Sequence, residues 1–174
     1  DGRILGTFAA YLKRTGMPSR RDLELVGRMA QLTKIAIERR VSEDALRESE
    51  RRFRGLFENV VEGVYQVTMD GYLVSANPAL IEMLDYASLQ ELRAIGSTER
   101  LYVDPAKRHQ LIEQMIRDGE LVEAEYDLIR RDGSVITITE NARLNRDAQG
   151  EPVGYEGTVT DITERKRAEQ QFYD

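Results

Sequence analysis

The chain has 174 residues, 41% of them hydrophobic and 32% charged, and a net charge of −6. That length holds one full domain with a sizeable appendage, or two very small ones, and the apolar share can supply a core. No stretch approaches the roughly 20 apolar residues of a membrane crossing, and the absence of cysteine excludes disulfides, thiolate metal sites and cysteine photochemistry.

The start, Asp1-Gly2-Arg3, is unlike a secretory signal and reads as a cut inside a longer, cytoplasmic protein. Residues 1–56 hold 13 Lys/Arg against 8 Asp/Glu, and residues 57–174 hold 12 against 23. An acidic folded region argues against nucleic-acid binding, which needs clustered positive charge. The basic part reads as a solvated helix whose arginines lie among glutamates.

In chain order, residues 3–12 are apolar enough for a strand that ends near Lys13-Arg14-Thr15-Gly16. After Pro18, Ser19 is placed to cap a helix. Leu25, Met29, Leu32, Ala36 and Ile37 recur at helical spacing, and Val41, Ala45, Leu46, Phe53 and Leu56 carry the pattern on. A helix over 21–54 would be roughly 50 Å long, which suits a connector or a dimer seam. Arg39, Arg40, Arg51 and Arg52 interrupt any continuous heptad stripe.

Beyond Asn59 the pattern turns to strands. Gly63–Met69 and Tyr72–Ala76 flank Asp70-Gly71, a hairpin signal. Asn77-Pro78 combines a helix cap with a proline at the first helical position. Short helices are expected at 79–84 and 89–94. Asp104-Pro105 repeats the device before a longer helix ending near Asp118-Gly119.

Three strands follow: 121–130, 135–144 and 153–160. Alternation assigns Val122, Ala124, Tyr126 and Leu128 to one face of the first, and Ile136, Ile138, Ala142 and Leu144 to one face of the second. Residues 164–171 begin a charged helix that runs off the end. The expected class is α+β: a five-stranded antiparallel sheet with short helices on one side, preceded by a long helix.

The order of elements, with the strings SERRFRGLFENVVEGVYQVTMDGYLVSANPALIEMLDY, LYVDPAKRHQLIEQM, YDLIRRDGS and YEGTVTDITERKRAE, resembles the PAS fold with its C-terminal PAC region over about residues 48–167. GRILGTFAAYL and the helix ending in LTKIAIERR resemble the last strand and helix of a GAF domain. The resemblance divides the chain into a GAF-like fragment (1–40), a helical linker (41–56), a PAS/PAC domain (57–163) and the start of an output helix (164–174). It implies a signal-relay module of a multidomain bacterial sensor, a histidine kinase being the commonest effector in the family and a cyclic-dinucleotide enzyme the next. The alternative is a ligand-free dimerisation or spacer domain of a diguanylate cyclase or other effector. A homodimer through the N-terminal helix is expected in either case.

In this family the aspartate and threonine matching Asp161 and Thr163 stand where the last strand becomes the output helix. With Arg165 they are the expected relay residues, and a plain helix cap with a surface ion pair is compatible with that role. The family's small-molecule pocket would be lined here by Tyr65, Val67, Leu80, Met83, Leu84, Ile112, Met115, Ile116, Tyr126, Leu128, Ile138 and Glu140. Glu140 is the one polar residue on its strand face. The simpler expectation is that the strand's twist takes it to solvent; if buried, it needs a partner such as Tyr65, Tyr126 or a ligand.

A flavin–cysteine adduct is excluded because there is no cysteine. A haem would need an axial ligand, usually histidine, and the single one, His109, sits in the charged run Lys107-Arg108-His109-Gln110 and reads as a surface residue. No metal-ligand spacing, phosphate-cradling loop, phosphoacceptor histidine or cyclase signature is present, so no catalytic centre is expected in the chain.

Overall fold

The computed structural model describes residues 16–171. The strand expected at residues 3–12 lies outside the described residues. The chain divides into two compact units, 1–54 and 55–174. Helix α1 spans Arg20–Asn59. Its first turn is closed reciprocally, with Ser19 N–H donating to Asp22 Oδ2 at 2.8 Å and Asp22 N–H to Ser19 Oγ at 3.3 Å. Salt bridges four residues apart, among them Lys34–Glu38, Arg39–Glu43 and Arg52–Glu48, run along it. None of its residues is buried.

The second unit is a sheet with helices on one face. Strands β1 (Gly63–Thr68) and β2 (Leu73–Ala76) form the expected hairpin, turned at Gly71, whose φ of 86° favours glycine. Helices α2 (Pro78–Met83), α3 (Leu89–Arg93) and α4 (Pro105–Asp118) follow, with a 3-10 turn at Thr98–Leu101 that the sequence pattern does not announce. Strands β3 (Glu120–Ile129), β4 (Val135–Arg146) and β5 (Pro152–Asp161) complete the sheet in the order β2-β1-β5-β4-β3, all antiparallel. Helix α5 (Thr163–Gln171) leaves from the end of β5.

Each helix start has a side-chain cap. Ser88 Oγ accepts from Glu91 N–H and Asp104 Oδ1 from Ala106 N–H. The inward face of the sheet carries Tyr65, Val67, Leu128, Ile136, Ile138, Tyr155 and Val159, which pack with Leu80, Leu84, Leu92, Leu111 and Met115 of the helices. The outward residues of β4 include Thr137, Thr139, Asn141 and Arg143, so this strand turns a mostly polar side away from the core.

Two expected inward positions are overturned. Val122 is 66% exposed because the β3–β4 register shifts between Leu121 and Ala124, and Leu121 takes the buried place. Glu123 adopts a φ of 49° at this bulge, and Asn141 Oδ1 accepts its N–H at 2.9 Å. Ile116 is also exposed, since α4 turns Arg108, Leu111 and Met115 inward at spacings of three and four.

Asn77 does more than cap α2. It is fully buried; its Oδ1 accepts from Leu80 N–H at 3.1 Å and Val64 N–H at 2.8 Å, and its Nδ2 donates to the Glu62 carbonyl at 2.9 Å. One side chain therefore ties the helix start to the start of β1. Asn77→Ala removes the shared partner of two amides and a carbonyl, the Leu80 amide among them buried, and is expected to cost about 2–3 kcal/mol, read as a lower urea midpoint with an unchanged m-value.

Candidate functional site

Between the sheet and the short helices lies a cavity of about 50 Å³. Of the expected lining residues, Tyr65, Val67, Leu80, Leu84, Tyr126, Leu128 and Glu140 do face it. Met115 and Ile138 are core residues outside its lining, and Met83 and Ile112 pack against the core from the side. Sequence reasoning missed Thr98, Tyr102 and Tyr155, which complete its polar wall. Tyr155 was legible in the alternation of β5. Thr98 was not, because it sits in an irregular segment without a period.

Glu140 is 3% exposed, so the strand's twist does not carry it to solvent. Its position midway along β4, opposite Ala124 and Val159 in the two flanking strands, keeps it inside. The Tyr65 hydroxyl donates to Glu140 Oε1, the partner named from the sequence. Burial raises the Glu140 pKa above the ordinary carboxylate value, while bonds from Tyr65 and Tyr126 pull the other way. Burial and the neighbouring Glu140 push Tyr65 and Tyr126 well up. Tyr126 stacks on Tyr102 with centroids 4.9 Å apart, and their hydroxyls are 3.3 Å apart. Tyr65 meets Tyr155 edge-on at 6.0 Å. One wall of the cavity is thus a carboxyl among four phenols.

Arg108 is a second buried polar group. Its side chain is 8% exposed, and Nε and Nη2 have no hydrogen-bond partner. Thr98 Oγ1 is likewise buried and unpartnered. Arg108 and Thr98 both act on the Tyr155 hydroxyl, partly offsetting the burial that raises its pKa. His109, next in sequence, is exposed, with Nδ1 3.3 Å from the Pro105 carbonyl.

The junction of β5 and α5 is the other cluster. Asp161 Oδ1 accepts the Thr163 N–H at 2.9 Å, and Asp161 Oδ2 takes Arg130 Nη2 at 2.9 Å. Thr163 Oγ1 accepts the Thr137 N–H at 2.9 Å, and Ile162 N–H donates to the Thr137 carbonyl. Arg165 does not join Asp161; it pairs with Glu125 of β3 at 3.3 Å, as Lys166 does at 2.5 Å. Among the described residues no helix is long and apolar enough to cross a membrane, and no group of three or more His, Cys, Asp or Glu could hold a metal.

A raised Glu140 pKa fixes the sign of a pH effect. Its contribution to stability is fully present below the unfolded value near 4.5, where both states are protonated. As pH rises from there to the folded pKa, the unfolded chain loses the proton first, so stability falls by up to about 1.4 kcal/mol per pH unit. Glu140→Gln is expected to remove that component. Urea titrations from pH 4.5 to 8 should show a stability difference between the two proteins that grows with pH; a constant difference would mean that Glu140 ionises normally in the fold.

Comparison with known proteins agrees with this geometry. The PAS fold family matches residues 51–162. Over 176 residues the chain is 31% identical to the methyl sulfide methyltransferase-associated sensor of Methanosarcina acetivorans, covering 97% of this chain and 17% of that protein. It is 28% identical to the probable diguanylate cyclase DgcE of Escherichia coli K12, covering 98% of this chain and 15% of the relative. The chain therefore spans less than a fifth of these relatives. The crystal structure of a sensory box histidine kinase/response regulator from Burkholderia thailandensis superposes with a TM-score of 0.53 at 23% identity, covering 70% of this chain and 92% of that one. The five-stranded sheet, the helices that close one face of it and the matched sequence place this chain in the PAS family, as a sensory domain of the kind found in signalling proteins.

Proposed function

We propose that the chain is a cytoplasmic relay module of a larger sensor protein. In it, a change at the cavity alters the path of β5 and so the exit of α5. One observation carries this reading: β5 lines the cavity with Tyr155 and Val159 and, at its last pairing with β4, where Asp161 stands opposite Ile138, supplies Asp161 to the start of α5. A strand is stiff along its length, so a displacement at Val159 reaches Asp161 within two residues. The Asp161–Arg130 pair is partly exposed, and together with the bond to Thr163 it holds the junction by about 1 kcal/mol per contact. That is weak enough to yield to ligand binding.

The effector is a histidine kinase or a cyclic-dinucleotide enzyme, classes represented among the proteins this chain is similar to. The small cavity favours, as a second reading, a spacer whose interior stays filled by its own side chains. Asp161→Ala in the full-length parent separates the two. The relay reading expects the effector's output to stop responding to its signal while the domain loses about 1 kcal/mol of stability. Unaltered output would favour the spacer.

Dimerisation through α1 belongs to either reading. Leu25, Leu32 and Leu46 are 59%, 67% and 61% exposed and fall at multiples of seven residues, with Met29 and Ala36 on the adjoining line. The ion pair Arg39–Glu43 breaks this stripe midway, a polar layer of the kind that fixes register in two-stranded coiled coils at some cost in stability. Leu32→Glu with Leu46→Glu is expected to convert a dimer to a monomer in sedimentation equilibrium at micromolar concentration. A wild-type monomer there would end the dimer proposal.

A further inference from the structure

Among the described residues Glu140 is the one buried acid, and no lysine or arginine pairs with it. Its neighbours come from several elements. Tyr65 of β1 donates to it, Tyr126 of β3 acts on it as well, and Tyr102 and the β5 residue Tyr155 stand next to those two phenols. Helices α2 and α3 bring only leucines to the cavity. The buried cation of α4, Arg108, acts on Tyr102 and Tyr155 rather than on Glu140. A protonated carboxyl both donates and accepts, so it is satisfied among phenols. A carboxylate has only the phenol hydrogens to offset its lost hydration. The adjoining cavity, at about 50 Å³, is several times what one water needs.

The strand that carries this acid also holds the start of α5. Thr137 lies three residues before Glu140, about 10 Å along β4. It donates its N–H to Thr163 Oγ1 at 2.9 Å, accepts the Ile162 N–H at 2.9 Å, and donates its hydroxyl to Asp127 Oδ1 at 2.7 Å. Between the two, Ile138 is fully buried and stands opposite Asp161, while Glu140 stands opposite Val159. The side chains of Thr137 and Glu140 point to opposite faces, so the link between them is the backbone of β4 itself.

We propose that Glu140 is a proton-operated switch: when it ionises, water enters beside it, β4 shifts at its middle, and the hold of Thr137 on Thr163 at the start of α5 weakens. This rests on the relay reading of the junction and makes the proton a signal that the interior of the domain reads by itself. The neutral form is the tightly packed one, so acid conditions hold α5 on the sheet and rising pH loosens it. Burial keeps the proton on Glu140 to higher pH than in the unfolded chain, which moves the transition upward from 4.5. Tyr65 and Tyr126 oppose that shift by donating to the anion.

The test follows the whole chain by NMR from about pH 3.5 to 8.5, reading the Glu140 Cδ resonance, the Thr137 and Thr163 amides, and hydrogen exchange at Thr137. Glu140 is expected to titrate with a midpoint above 4.5, and both amides to move with the same midpoint. Corrected for the intrinsic rate, protection of the Thr137 amide is expected to fall about tenfold across it, the change that one pH unit of differential proton binding supplies. Glu140→Gln should hold the low-pH spectrum at every pH. Tyr65→Phe removes a donor to the anion and should move the midpoint upward; it serves where Glu140→Gln does not fold, and the wild-type titration needs no variant. Asp127, Asp161 and Glu125 stand at the junction itself, so amide shifts that persist in Glu140→Gln would belong to them and overturn the switch. A Glu140 midpoint at or below 4.5, or no titration up to about pH 8.5, would also overturn it and leave the relay reading standing. Titration of Glu140 with Thr137 and Thr163 unmoved would overturn both.

Discussion

The sheet is held together by one strand. β5 pairs with β1 on one side and with β4 on the other, so it joins the N-terminal hairpin to the C-terminal one. Remove it and two separate hairpins remain, neither with enough partners to stand in water. Its residues are chosen for close approach. A Cβ on Gly157 would collide with the Asn141 carbonyl of β4 and sit 3.0 Å from the Ala142 side chain. The large inward residues of β5, Tyr155 and Val159, alternate around that glycine and form the floor of the core. Since β1 and β5 lie at opposite ends of the domain sequence, their pairing closes a long loop, and the intervening helices must be in place before it is rewarded.

The core is polar in two places, Glu140 on β4 and Arg108 on α4, and the two differ in kind. Glu140 can shed its charge, and burial drives it that way; a protonated carboxyl among tyrosines is a satisfied hydrogen-bonding group. Arg108 has no such exit. The interior therefore holds an acid that adapts to it and a cation that does not.

Much of the fold was legible in the sequence because its signals are local. Asp70-Gly71, Asn77-Pro78 and Asp104-Pro105 mark a turn and two helix starts by their own conformational preferences, and the structure has them there. What failed was inference from periodicity across an irregularity. Strict alternation put Val122 inside, but the bulge at Glu123 hands that place to Leu121, and the side chain of Asn141 in the neighbouring strand supports the bulge. The site was read in part. Glu140, Tyr65 and Tyr126 came from strand alternation, although solvent was the simpler expectation for Glu140. Arg108 was passed over because a charged run at a helix start looks solvated; only the packing of α4 shows that one member of the run points inward.

Under the proposed relay, the junction is where weak chemistry at the cavity would have consequences. Asp161 accepts from both Arg130, at the end of the β3–β4 hairpin, and Thr163, at the start of α5, while Thr163 also binds Thr137 of β4. Three segments thus meet through one carboxylate and one hydroxyl. Couplings between sites in proteins amount to about 1–3 kcal/mol, which is the size of one or two of these partly exposed bonds. A ligand that differs by that much in affinity for two positions of β5 can exchange one arrangement of the junction for another. Tighter holding would insulate α5 from the core. Fewer bonds would let the helix fray from the sheet whatever the cavity contained. The clamp of Glu125 on Arg165 and Lys166 steadies the first turn of α5 against β3, so under the proposed relay a shift at Asp161 would be passed on as a change of helix direction rather than lost as disorder.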